Sequence, residues 1–446
     1  MLSVKVEAML LKHYKLILVL SMALVIFLGL SVMSVRPLDL SEGLNPNWWE
    51  IIHNVEIGNG YKGCETSYFP SCKLTSQETA MREPLPVLMY ALMARLTGNS
   101  PFALQFQQVL YNMLTLFALF FLGKELRDTT TGLLAAIAWV TYLPVLRVEA
   151  HLNGDVLAAL LVTTGVLMFV RAVKRGYLKD WLGFGLLFGL AILSRTATML
   201  VALALIGGYM LCLLWTKRKA AFTHTIPIRK ILISLSLLVF TVSPWVIRNW
   251  IVFGEPVIGT TLVGYNLYRH NSDVTVEVMP HYVGSDQATV EIEKFIVEHP
   301  ELMTPLNEAQ VDRIYRDGAI ARIVSYPEEY IELFIYRLLP LWFNIGVLEQ
   351  YGKSMTFLDY LIVFQQLILL ILFLYAVRKG DRFTRLIASS ILVFMLSYMA
   401  VDSQLRYLLP VAPLVLVIGV FGLTKFWPWL VNLFELLVSL LRFERI

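Results

Sequence analysis

Ten apolar runs dominate this sequence and leave little choice of fold. They fall at about 16–34, 101–122, 130–147, 154–173, 181–195, 197–216, 230–247, 357–377, 383–400 and 405–424. About 20 apolar residues, at ~1.5 Å rise per helical residue, cover a ~30 Å hydrocarbon core. Each run is therefore predicted to be a transmembrane helix, with 181–195 the weakest on length. Composition agrees: the chain is 57% hydrophobic and 16% charged, against roughly 25% charged in a soluble protein. The expected fold is an all-α membrane protein of about ten spans.

Lysine and arginine set the orientation, because cytoplasmic loops carry the excess of both. Lys5, Lys12 and Lys15 precede the first run. Lys124 and Arg127 follow the second, and Arg171, Lys174, Arg175 and Lys179 follow the fourth. Lys217, Arg218, Lys219, Arg229 and Lys230 follow the sixth, and Arg378, Lys379, Arg382 and Arg385 follow the eighth. Simple alternation puts all five segments on one side. Both termini are then cytoplasmic, as in a multi-pass plasma (inner) membrane protein. The first run is too long for an ordinary signal-peptide core, so an uncleaved anchor is expected. The net charge is +4 and the basic residues are scattered, which gives no reason to expect a nucleic-acid partner.

Two large segments land outside, 35–100 and 248–356. Each holds an apolar stretch too short to cross, 84–97 and 330–343, expected to be an interfacial helix. The domain reading is a membrane domain over 1–426 and an inner-surface helix over 427–446. In that tail Asn432, Glu435, Ser439 and Arg442 share one helical face. Cys64 and Cys72 share one outer loop, where a disulfide fits the oxidising side. Cys212 sits in an apolar run and reads as packing.

Four charges sit at the outer ends of spans, where neither hydropathy nor the positive-inside rule accounts for them: Asp155, Arg195, Arg248 and Arg406. Charges at membrane depth are expensive and point to function. Three arginines at one level suit a phosphate, which takes two parallel hydrogen bonds from each guanidinium. The bland alternatives are snorkelling, or an ion pair of Arg406 with Asp402. The outer loops also hold acids, among them Asp39, Glu42, Glu50, Glu56, Glu65 and Glu83. His270 joined to a carboxylate is the metal alternative to a plain loop histidine.

Six short motifs, in order, resemble the membrane glycosyltransferases of the C-type fold, in the branch of the protein mannosyltransferases and the lipid A aminoarabinose transferase. They are Thr79 to Pro86; Gly98 to Leu126 with Gln107-Gln108; Gly189 to Arg195; Pro244-Trp245 through Arg248-Asn249; Asn266-Leu267-Tyr268 with His270-Asn271; and Arg406-Tyr407-Leu408-Leu409-Pro410. Asp155 is similar to the family's acid at the start of its fourth helix.

The resemblance implies a polyprenyl-phosphate sugar donor, inversion at the anomeric carbon and a hexosyl or pentosyl transfer outside the cytoplasm. The acceptor is a lipid, polysaccharide or protein. The family's base, an Asp followed by an aromatic in the first outer loop, is not at its usual spacing. Leu44 or Asn45 takes its place, with Trp48 or Trp49 as the aromatic, so flanking Glu50 or Glu42 is expected to act. Arg82, Glu83, Asp155, Arg195, Arg248, His270, Arg406 and Tyr407 are the expected substrate-binding set. No particular cofactor is assigned, and a divalent metal stays open. A lipid or oligosaccharide flippase or transporter, and a diphosphate-linked oligosaccharide polymerase or ligase, remain as rivals.

Overall fold

A computed structural model describes residues 2–40, 46–72, 77–148, 151–219, 227–271, 285–345 and 354–426. Glu42 and the tail beyond residue 426 lie outside the described residues. The chain opens with α1 (Leu2–Val35), α2 (Pro46–Glu56) and a hairpin of β1 (Lys62–Gly63) and β2 (Gln77–Glu78). It continues as α3 (Pro84–Thr97), α4 (Pro101–Leu126), α5 (Thr129–Val140), α6 (Leu143–Val148), α7 (Asp155–Arg175), α8 (Leu178–Ser194), α9 (Thr198–Lys219) and α10 (Ile228–Phe253). Then come α11 (Val263–Arg269), α12 (Ser285–Glu298), α13 (Glu308–Ser325), α14 (Pro327–Tyr336), α15 (Leu338–Phe343), α16 (Phe357–Lys379), α17 (Arg382–Val401) and α18 (Ala412–Phe426).

Among the described residues, α1, α4, α7, α9, α10, α16 and α17 are the seven helices long and apolar enough to cross a membrane. Two of the expected spans are interrupted, and a third is short. The run 130–147 divides into α5 and α6 around Thr141 and Tyr142. Pro144 lacks an N–H and fits the first turn of a new helix better than the middle of an old one. The run 405–424 begins as a 3-10 turn at Leu405–Leu408 and becomes α18 only past Pro410. The run 181–195 is part of α8, at 17 residues. The interfacial stretch 84–97 is α3, and 330–343 is split between α14 and α15.

Helix packing in lipid relies on small residues that let backbones approach. A Cβ at Gly123 of α4 would lie 2.7 Å from the Cα of Gly132 in α5. Gly185 of α8 similarly faces the Ser234 carbonyl of α10. These contacts lock the α4–α5 and α8–α10 pairs. Pro244 lies inside α10, where its missing N–H marks the place for a bend.

Two cores result. The large one runs through the bundle, with Trp139, Phe169, Trp181 and Phe188 buried. A smaller one, built from Ile51, Ile52, Phe69, Tyr90, Phe295 and Tyr315, joins α2, α3, α12 and α13 into a cap over one end. The two ends differ in chemistry. Asp155 opens α7 and Arg175 closes it, about 30 Å apart by helical rise. At the Arg175 end, Arg171, Lys174 and Arg175 surround Glu125. The Asp155 end lies under the cap.

Candidate functional site

The site starts at a helix junction. The Ser194 hydroxyl, at the end of α8, donates to the Gly154 carbonyl at 3.0 Å. A Cβ on Gly154 would come 2.7 Å from the Ser194 carbonyl, so only glycine allows this approach. The contact sets the next residues side by side: Asp155, first residue of α7, and Arg195, the cap that ends α8. An acid at a helix start and a cation at a helix end also suit the two dipoles. Their ion pair measures 2.8 Å from Arg195 Nε to Asp155 Oδ1.

The approach to Asp155 is held from α3 and α4. The Tyr90 hydroxyl donates to the Asn153 carbonyl at 3.0 Å, and Gln108 Nε2 reaches the same carbonyl at 3.3 Å. The Asn153 side chain then accepts from the Asp155 N–H at 2.9 Å. Buried polar groups of α3 and α4 thus serve as the footing of the site.

Arg195 is continuous with the segment before α18. Its guanidinium carbon lies 5.1 Å from the Tyr407 ring centre, and that of Arg406 lies 5.0 Å from the same ring. Two cations therefore share one aromatic face set, a favourable arrangement when desolvated. The Tyr407 hydroxyl donates to Asp402 Oδ2 at 2.9 Å and accepts from Arg406 Nη2 at 3.2 Å. Asp402 in turn meets His270 Nε2 at 3.3 Å. Burial pushes the His270 imidazole down to about 4, against the pull of Asp402, and so favours the neutral ring. His270, Asp402, Tyr407, Arg406, Arg195 and Asp155 form one connected chain of contacts.

Glu83 completes this neighbourhood. It is 8% exposed, and its Oε1 lies 3.5 Å from the Thr196 N–H, beside Arg195. Its neighbour Arg82 points into the cap, with its guanidinium 5.6 Å from the Trp48 ring and 6.0 Å from the Tyr68 ring.

Arg248 was expected to join Arg195 and Arg406, and the structure puts it to another use. Its Nη1 donates to the Thr79 carbonyl at 2.7 Å and its Nη2 to the Tyr61 carbonyl at 3.1 Å. Nη2 also pairs with Glu78, and the guanidinium is flanked by Tyr61, Trp245 and Phe253. The physical reason lies beside the β1–β2 hairpin, where the carbonyl of buried Thr79 needs a donor. A sequence shows that two arginines share a level but not which way each faces.

Glu50, expected as a base, accepts from the Cys64 N–H at 3.0 Å. It braces the loop closed by the Cys64–Cys72 disulfide, whose Cα atoms are 5.8 Å apart.

Three participants escaped the sequence reading. Arg337, between α14 and α15, is fully buried. It donates to the carbonyls of Met399 and Ala400, to the His270 carbonyl and to Asn271 Oδ1. It thereby clamps the end of α17 to the end of α11 and fixes Asp402 against His270. Glu308 of α13 accepts from the Ala80 N–H at 2.8 Å and from the Thr261 hydroxyl at 2.5 Å. Burial raises its carboxyl to about 7. Tyr61 carries the Arg248 guanidinium on its ring and donates from its hydroxyl to the Arg82 carbonyl at 2.9 Å. Of these, only Arg337 carried a visible signal: a lone cation inside an apolar stretch.

Chemically, the arrangement offers spare donors. Arg195 uses Nε on Asp155, and Arg406 uses Nη2 on Tyr407. Among the described residues nothing takes the two terminal nitrogens of Arg195 or Nη1 of Arg406. Three cations (Arg82, Arg195, Arg406) stand near three carboxylates (Glu83, Asp155, Asp402), so the neighbourhood is balanced in charge. An anion would be held by directed N–H donors rather than by a net field. Among the described residues no three His, Cys, Asp or Glu side chains converge as a metal cage.

Residues 81–247 match the model of the dolichyl-phosphate-mannose-protein mannosyltransferase family, well under half of the chain. Comparison with curated proteins finds no match. Among solved structures, the oligosaccharyltransferase of Archaeoglobus fulgidus in complex with Zn and sulfate superposes with a TM-score of 0.50 at 13% identity, over 94% of this chain and 51% of that one. The same enzyme tethered to an acceptor peptide gives 0.53 at 12% identity, over 95% and 51%. ArnT of Cupriavidus metallidurans bound to undecaprenyl phosphate gives 0.39 at 12% identity, over 91% and 76%. The chain spans about half the length of the archaeal enzyme. It has the multi-span helical fold of the C-type membrane glycosyltransferases, and its segment 81–247 is matched by the protein mannosyltransferase family model.

Proposed function

We propose that this protein is a glycosyltransferase that moves a sugar from a polyprenyl-phosphate donor to an acceptor at the capped, non-cytoplasmic face of the membrane. The observation that carries this reading is the pair Arg195 and Arg406 flanking Tyr407, with three terminal guanidinium nitrogens uncommitted at a membrane boundary. The family match supports it, because residues 81–247 include Arg82, Glu83, Asp155 and Arg195. The positive-inside count puts the Arg175 end and both termini in the cytoplasm of a plasma (inner) membrane.

In this mechanism the donor's isoprenoid tail lies in lipid and its phosphate accepts from Arg195 and Arg406. As the bond from the anomeric carbon to the phosphate oxygen breaks, negative charge grows on that phosphate. Preorganised donors stabilise it most at that moment. Asp155 holds Arg195 in place. A carboxylate near the pair takes the proton of the acceptor hydroxyl as it attacks from the opposite side of the sugar. Glu83 is the group best placed for this, since it lies beside Arg195, while Glu50 sits against the loop of Cys64. Lipid, polysaccharide and protein hydroxyls all fit this chemistry. A divalent ion here would rest on Glu83 and Asp155 with phosphate oxygens as further ligands, and would add charge neutralisation.

The test uses membranes containing the full chain and a radiolabelled sugar on a polyprenyl monophosphate. Wild type transfers label to an endogenous acceptor. Arg195→Ala and Arg406→Ala lower the rate by roughly a hundredfold or more, the loss typical for one donor to a developing anion. If folded wild type moves sugar only from a diphosphate-linked donor, or only translocates lipid, this reading fails.

A further inference from the structure

The basic end of the bundle holds a cavity of about 300 Å³, about 30 Å from the arginine pair by the length of α7. It lies where the α4–α5 turn, the α16–α17 turn and α18 meet. We propose that this cavity binds the phosphate headgroup of an anionic phospholipid from the leaflet it faces.

The lining is two-sided. Arg127, Lys379 and Lys425 supply cations, while Leu126, Val417 and Phe421 supply an apolar wall. The single lining carboxylate, Asp381, is already used: its Oδ1 accepts from the Thr384 N–H and hydroxyl, both at 2.8 Å, as the cap of α17. Arg127 is partly committed, to Asp128 at 3.3 Å and to the Thr424 hydroxyl. Lys379 and Lys425 have no ion pair among the described residues, and Lys425 and Arg127 both lie over the Phe421 ring. Three cations line the cavity against the one Asp381 carboxylate, so the lining carries excess positive charge that a bound anion relieves.

The chemistry selects the occupant. A phosphodiester accepts from two lysines and an arginine, and the apolar wall suits the glycerol and the first methylenes of an acyl chain. The volume fits a headgroup and not a whole lipid. Basic pockets between helices at the cytoplasmic boundary are recognised sites for acidic lipid headgroups. Diffuse attraction of surface cations to an anionic leaflet is the weaker alternative, and it predicts no dependence on which cations are removed.

The experiment follows thermal unfolding of the purified full chain in micelles doped with phosphatidylglycerol, with phosphatidylcholine, or with inorganic phosphate alone. Phosphatidylglycerol is expected to raise the unfolding temperature saturably, as a ligand of the folded state does. The double variant Lys379→Gln/Lys425→Gln is expected to need roughly thirtyfold more phosphatidylglycerol for the same shift, two cations at about 1 kcal/mol each near a charged surface. Its unfolding temperature in phosphatidylcholine stays close to the wild-type value, because neither lysine holds an ion pair among the described residues and Lys425 gives up only its place over the Phe421 ring. Arg378→Gln/Arg382→Gln removes the same charge outside the cavity and keeps the wild-type response. The proposal is overturned if that control loses the response equally, if phosphatidylcholine stabilises as well, or if inorganic phosphate alone gives the full shift. Sugar transfer plays no part in the readout, so the result stands apart from the assignment of the arginine pair.

Discussion

Asp155 Oδ1 lies 2.8 Å from Arg195 Nε, and this one contact ties the start of α7 to the end of α8. Asp155 is almost fully buried, with a side chain 3% exposed, and that of Arg195 is 21% exposed. Removing one member of a buried pair strands the other charge and costs roughly 3–5 kcal/mol, discounted here for the partial exposure of Arg195. Asp155→Asn should therefore lower the unfolding temperature. Asp155→Asn combined with Arg195→Gln should recover most of that stability, because no charge is left alone. The double variant should still transfer roughly a hundredfold or more slowly than wild type, since the Arg195 share of the phosphate donors is gone. A double-mutant cycle on thermal unfolding checks the coupling, and a slow but stable double variant separates the structural role from the chemical one.

Arg248 should behave in the opposite way. Its guanidinium is spent on the Thr79 and Tyr61 carbonyls; the Tyr61 carbonyl keeps the Thr79 N–H as a donor, so Arg248→Ala strands chiefly the Thr79 carbonyl, at about 1–3 kcal/mol. Limited proteolysis is expected to cut faster between residues 56 and 80. Residual activity per folded molecule should stay well above that of Arg406→Ala. An Arg248→Ala protein that is fully stable and wholly inactive would return this arginine to the phosphate site.

The contrast between these arginines shows what the sequence made legible. Asp155, Arg195 and Arg406 were visible because a charge beside an apolar run has few innocent explanations. His270 and Tyr407 came with their motifs, and the structure links all five through Asp402. Arg248 stood out on the same grounds but turned toward the hairpin, since hydropathy gives depth and not direction. The break between α5 and α6 was hidden because the apolar run continues across Thr141 and Tyr142 while only the backbone changes. Glu308 lies in the polar segment 248–356, where a charged residue is unremarkable until packing buries it, whereas Arg337 interrupts an apolar stretch and could have been found.

Glu83 and Glu50 are separable by substitution. Glu83 stands beside the arginine pair, and Glu50 holds the Cys64 N–H. Glu83→Gln should reduce transfer by about 10²–10⁴, the span of general base catalysis, with little change in unfolding temperature. Glu50→Gln keeps an acceptor for Cys64 and should retain most activity. The reverse ranking, measured with the same donor, would return the base to the first-loop glutamate.

The two carboxylates of α13 give a pH signature. Glu308 receives the Ala80 N–H and the Thr261 hydroxyl, and one turn on Asp312 receives the N–H groups of Gly264 and Tyr265 at 2.7 and 3.2 Å. Burial raises them to about 7 and about 6 from ordinary values of 4.5 and 3.8. Between those limits the folded state holds more protons than the unfolded chain. Stability contributed by these groups therefore falls as pH rises from about 4 to 7, and levels off above that. Each unit of difference is about 1.36 kcal/mol, so the two together give an effect of a few kcal/mol. Glu308→Gln/Asp312→Asn should flatten this slope and leave the protein more stable than wild type at pH 8, where wild type must bury both charges. Denaturant or thermal unfolding across pH 4.5–8 reads the difference. A wild-type profile that rises through this window, or a variant with the wild-type slope, would mean that α13 does not hold these protons.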